Sequence, residues 1–171
     1  FIFLPVVGLS MGAQPIIGYN RGARNPERVR SALRLSLAAG SAICCAGFVA
    51  TQAFPDAIFS IFLPSDSPLI PTGERAMRLL TLCCPLIGVN IVASGYFQAV
   101  KRPIFSILIT VVRQVLFLVP FLYLLPKFMS LDGIWASFAA SDFMAFLFSA
   151  AVVAREMRNL RGRSVYSAEK C

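Results

Sequence analysis

Histidine is absent from this sequence, and tryptophan occurs once. Without histidine there is no Ser-His-Asp or Cys-His nucleophile set, and a zinc site loses its commonest nitrogen ligand. Charge is scarce as well. Asp, Glu, Lys and Arg make up 14% of the chain, against about a quarter in a soluble domain. The alternation of apolar and polar residues that marks a lipid-facing barrel strand is missing. A phosphate loop is missing too, and no basic edge precedes the first apolar run, the order a secretory signal requires. These gaps argue against an enzyme, a metal centre or a cofactor. The basic residues flank the apolar runs and the aromatics lie within them, which argues against a nucleic-acid binder.

What the sequence has is apolar mass. Hydrophobic residues reach 57%, including 15 Phe, and the mean hydropathy is +0.74. A water-soluble fold of 171 residues cannot hide that much apolar surface, because small domains leave a large share of their surface exposed. Lipid is therefore the expected solvent. Five apolar segments emerge, at about 1–19, 32–54, 77–100, 104–125 and 134–153, with a possible extension of the second to Leu63. Each is long enough to cross a ~30 Å hydrocarbon core as a helix. The expected fold is all-α, a polytopic transmembrane helix bundle over 1–154, followed by a basic, solvent-exposed tail over 155–171.

The connections carry topological information. RGARNPERVR separates the first two segments and supplies Arg21, Arg24, Arg28 and Arg30, with Arg34 just beyond. Lys101 and Arg102 lie between the third and fourth segments, and Arg155, Arg158, Arg161, Arg163 and Lys170 follow the fifth. The alternate connections hold only Arg75, Arg78 and Lys127, so the positive-inside rule puts the C-terminus in the cytoplasm of a multi-pass protein of the cell membrane. Trp135 suits the outer interface, and Tyr19 and Tyr96 the inner one. Asp56, Asp66, Glu74 and Asp132 read as solvated outer-surface acids, and the five Cys as free thiols.

Within the segments, Gly8-xxx-Gly12 and Gly18-xxx-Gly22 offer small-residue faces for close helix approach, as do Gly88 and Gly95. Polar groups at membrane depth need partners or a wet cavity: Gln14, Asn20, Asn90, Ser94, Gln98, Arg113, Gln114 and Asp142. Asn90, Ser94 and Gln98 recur every four residues on one helix face, either a cavity wall or an interhelical hydrogen-bond seam. Arg113 and Asp142 fall at similar depth on consecutive segments and are positioned to meet. They read either as members of a transport cavity, with Asp142 in proton or cation coupling, or as a structural ion pair. Pro15, Pro85 and Pro120 are candidate hinges.

The run GAQPIIGYNRGARNPERVR resembles a signature of the multidrug and toxic compound extrusion (MATE) transporters, whose eighth span ends in similar Gly-x-Gln-Pro and Gly-Tyr-Asn-x-Gly-Ala runs. GVNIVASGYFQAVKRP resembles that family's tenth span, RQVLFLVPFLYLLP its eleventh and LDGIWASFAASDFMA its twelfth. The resemblance implies twelve spans in two six-helix lobes, of which this chain matches spans eight to twelve, so that Phe1 is not expected to begin the protein. It implies a cation-coupled antiporter exchanging H+ or Na+ for lipophilic, often cationic drugs and toxins. The implied partners are membrane lipids, a drug-like substrate and a missing N-terminal lobe. The family's coupling acids lie mainly in the first lobe, and the segment here that matches span ten holds no Asp or Glu. Two alternatives stand beside this reading: a lipid-linked glycan flippase of the same wider superfamily, and a non-transporting fragment or scaffold.

Overall fold

Every regular element in the computed structural model is a helix among the residues it describes, 2–60 and 70–168. The stretch around Asp66, together with Phe1, Lys170 and Cys171, lies outside the described residues. Helix α1 spans Phe3–Gly22 and passes through Pro15 without a break. Helix α2 spans Pro26–Ala53, so it begins before the expected Ala32 and takes in half of the Arg-rich run. The cause is local. Asn25 caps the helix by accepting the Arg28 amide at 3.2 Å, Pro26 has its φ set for a first helical position, and Glu27 complements the positive helix end. Pro55 ends that helix and starts the short α3, Pro55–Ser60.

The expected span at 77–100 is two helices, α4 (Ile70–Thr81) and α5 (Cys84–Ala99), bent by 47°. Pro85 explains the break. It has no N–H for the Thr81 carbonyl four residues back, and its ring crowds that carbonyl. Helix α2 ties down the frayed end: Gln52 Nε2 donates to the Arg78 carbonyl at 3.0 Å and Thr51 Oγ1 to Thr81 Oγ1 at 3.2 Å.

Helix α6 (Pro103–Val111) continues into a π-helical segment, Val112–Leu118, and then into α7, Val119–Ala168, which folds back on itself at Ser130. The connection expected at Pro126 and Lys127 is thus compressed into one kink with φ 51° at Ser130. The basic segment after Arg155 continues as helix to Ala168. It has packing to hold it there: Leu160 is buried, and buried Glu156 accepts from the Tyr96 hydroxyl at 3.3 Å and pairs with Arg102 at 3.5 Å. Tyr96 is therefore a core residue, whereas Tyr19 is exposed.

By length and composition, three helices can cross a membrane, Pro26–Ala53, Pro103–Phe128 and Ser130–Gly162, and the bent α4–α5 pair makes a fourth. Helix α1 is not among them, since Ser10, Gln14, Asn20 and Arg21 dilute its hydropathy. Helix α5 is the hub, burying Ile87, Gly88, Val92, Ala93, Gly95, Tyr96 and Phe97 against its neighbours. The close approach runs through Gly40 and Gly88, where a Cβ on Gly88 would fall 2.7 Å from the Gly40 carbonyl oxygen. The expected GxxxG faces are not used this way. Gly8, Gly12 and Gly22 have open space around them, and only Gly18 approaches a neighbour, Ala99. Outward faces are oily, with Leu4, Ile104, Ile107, Leu116 and Leu124 exposed, as suits a lipid solvent. Arg75 pairs with Asp132 at one end of the bundle, while Arg102 pairs with Glu156 at the other. The two ends sort the connections as the charge pattern does.

Candidate functional site

Helices α1, α5 and α6 with its π-helical continuation enclose a cleft of about 240 Å³. Helix α1 supplies Ser10 and Gln14, four residues apart and so on one face. Helix α5 supplies Asn90, Ser94 and Gln98 by the same spacing. Thr110, Arg113 and Gln114 come from the third wall. Val7, Met11, Ile91 and Ile109 complete the lining with apolar surface.

The α5 row does both of the jobs its pattern allowed. Ser94 Oγ and Ser106 Oγ lie 2.7 Å apart in a hydrogen bond, and Gln98 Nε2 donates to Ser106 Oγ at 3.0 Å, which stitches α5 to α6. Asn90, one turn deeper, takes no part in the seam. It is 4% exposed, and neither its Nδ2 nor its Oδ1 has a partner among the described residues. A buried amide left in that state is costly, by about 1–3 kcal/mol, and it faces the cleft.

Arg113 and Asp142 do meet. Arg113 Nε donates to Asp142 Oδ1 at 2.6 Å. Asp142 is 4% exposed and is not part of the cleft wall; Arg113 is. The carboxylate therefore sits behind the guanidinium. Helix bonds one residue longer than usual loosen the backbone at Val112–Leu118, the segment that carries Arg113 and Gln114. Asn20 is apart from the cleft. Its Nδ2 donates to the Ile16 carbonyl at 2.8 Å within α1. Among the hinge candidates, Pro85 stands at the α4–α5 bend, Pro120 directly follows the π-helical segment, and Pro15 interrupts nothing.

Sequence reasoning passed over Ser10 and Thr110, although each stands four residues from a polar residue that was singled out, Gln14 and Gln114. It also passed over Glu156, a lone acid in a basic stretch, whose contact with Tyr96 spans 60 residues of chain.

The family model described as MatE matches residues 1–124. No curated protein matches the chain. Among solved structures, a ligand complex of the MATE multidrug transporter DinF-BH is similar at 31% identity and a TM-score of 0.86, over 94% of this chain and 35% of its own. An outward-facing MATE family transporter of the MOP superfamily is similar at 20% identity and 0.84, over 94% and 36%. An inward-facing one is similar at 18% and 0.85, over 94% and 38%. The last two likenesses are of fold alone. The chain spans about a third of the length of the structures it matches.

Proposed function

The chain belongs to the MatE family, and from that premise we propose that it works as one lobe of a transporter exporting lipophilic, drug-like compounds in exchange for H+ or Na+. MATE transporters are integral, multi-pass membrane proteins, and the oily helices described above suit that setting. One observation carries the reading: polar side chains from three helices converge on one cleft, and one of them, Asn90, is buried without a partner among the described residues. Polar groups at this depth are expensive unless they serve a ligand or a water-filled path.

A second lobe, the counterpart expected from the family, would close the other wall of the transport path. The lobe's fold is about equally close to an outward-facing and an inward-facing transporter, which supports alternating access by lobes moving as rigid bodies. Pro85 and the π-helical segment before Pro120 are the flexion points within it. The orientation is C-terminus in the cytoplasm, and Cys171 tests it: a membrane-impermeant maleimide should label it only after the cells are opened.

The direct test is the accumulation of a cationic dye, ethidium, and an anionic one, fluorescein, in efflux-deficient cells expressing the complete reading frame that encodes this chain. Lower accumulation of either dye, restored by collapsing the proton or sodium gradient, is the expected result. Accumulation of both dyes equal to that of empty cells overturns the proposal.

A further inference from the structure

Family membership does not dictate the polarity of the cleft. Among the described residues that line it there is no carboxylate. Its one ionised group is Arg113, whose Nε is held by Asp142 while the side chain remains one-third exposed. The negative member of the pair is buried behind the wall and the positive member stands in it. Around Arg113 are hydrogen-bonding groups without charge: Ser10, Gln14, Asn90 and Gln114. Asn90 has no partner for its amide among the described residues, so a ligand acceptor or donor placed there makes a bond this lobe leaves unmade. Gly95 keeps the space open, since a Cβ there would lie 3.4 Å from Gln14 Nε2 and collide with the Ser10 hydroxyl.

We propose that this cleft binds an organic monoanion, an apolar body carrying one carboxylate or sulfonate. The acidic group sits on Arg113 and Asn90, and the body lies against Val7, Met11 and Ile91. The inference deepens the transport reading by naming a substrate class, and it rests on that reading for the word substrate. A lipophilic cation would bring like charge to Arg113, with no carboxylate among the described residues of this lobe's wall to receive it. A lipid-linked glycan fits no better. Its pyrophosphate exceeds what one already paired guanidinium balances.

The test uses the complete protein in lipid nanodiscs, titrated with three probes that share one fluorescent body: dansylglycine (anion), dansylamide (neutral) and dansylcadaverine (cation). Empty nanodiscs give the background. Dansylglycine should bind about tenfold or more tightly than dansylcadaverine, the scale of one charge-assisted hydrogen bond. Arg113→Gln should erase that preference, Arg113→Lys should keep its order, and Asn90→Asp should reverse it. If Arg113→Gln does not elute as a monodisperse species, Asn90→Asp decides the matter, because it leaves the ion pair intact. Equal or tighter binding of dansylcadaverine to the unaltered protein overturns the proposal, as does saturable binding of neither ion. An Arg113→Gln variant that folds but leaves the anion-to-cation ratio unchanged overturns it as well. The titration requires no transport. Selective anion binding without efflux would sink the transport reading alone, and efflux with a preference for the cation would sink this inference alone.

Discussion

Replacing Arg113 by Gln should damage the fold more than replacing Asp142 by Asn, and replacing both should cost less than the two single costs combined. The asymmetry follows from burial. Asp142 is 4% exposed, so without Arg113 its carboxylate is an unpaired buried charge. Removing one partner of such a pair costs about 3–5 kcal/mol. Asp142→Asn strands a guanidinium whose side chain is one-third exposed and keeps an amide oxygen where Oδ1 accepted at 2.6 Å. That change should cost about 1–3 kcal/mol. The double variant holds two neutral amides in contact, and the cycle should return a coupling of about 2–3 kcal/mol. The assay is chemical unfolding of the complete protein in mild detergent, followed by loss of helical circular dichroism. Additive costs, or Asp142→Asn as the worse variant, would refute the placement of the carboxylate behind the guanidinium. The same three variants separate structural from coupling roles. Gradient-driven efflux that survives in the double variant makes the pair a lock between helices and removes Asp142 from coupling.

Four further outcomes are expected. Gly88→Ala should lower the melting temperature by an amount equivalent to about 1–3 kcal/mol, because its methyl group would meet the Gly40 carbonyl, read by thermal unfolding in detergent. Asn90→Leu should raise stability by about 1–3 kcal/mol while abolishing dansylglycine binding, since it removes an unpartnered buried amide that a ligand needs. Pro85→Ala restores a donor for the Thr81 carbonyl and should reduce the 47° bend, visible as a longer distance between spin labels on α4 and α5. Glu156→Gln should cost about 1 kcal/mol at low salt and less at high salt, because its partner Arg102 is 43% exposed and screened; melting curves at two ionic strengths check it.

The class of fold was legible because apolar runs of span length leave few alternatives. The meeting of Arg113 and Asp142 was legible for a related reason: in lipid, a charge on one helix has few partners, and consecutive helices bring the nearest. Element ends were harder. Asn25-Pro26-Glu27 is a strong helix start, but the arginines around it read as a loop, and charge count obscured capping chemistry. Pro85 pointed to a kink, and the crowding at Thr81 turned that kink into a break. The π-helical segment has no local signature in VRQVLFL, and it decides where Arg113 and Gln114 point. Glu156 shows the limit of one-dimensional reading most clearly. A single acid among basic residues looks like a solvated face until the fold carries Tyr96 to it from 60 residues away.

Helix α5 shows why the cleft exists at all. Gly88 lets α2 press against its backbone, which fixes one side of α5 by close packing. Seven residues on, two turns along the same helix, Gly95 faces α1, but there the neighbours are Ser10 and Gln14 rather than another glycine. Their side chains hold the helices off where a glycine would have let them close. Between those two points lies Asn90, whose buried amide has no hydrogen-bond partner among the described residues. A bundle selected only for stability would fill that position with an aliphatic side chain, at a gain of about 1–3 kcal/mol. The cost is carried instead at the wall where Arg113 stands, and that coincidence of an unmet amide with an accessible guanidinium is what a ligand-binding role explains and a purely structural seam does not.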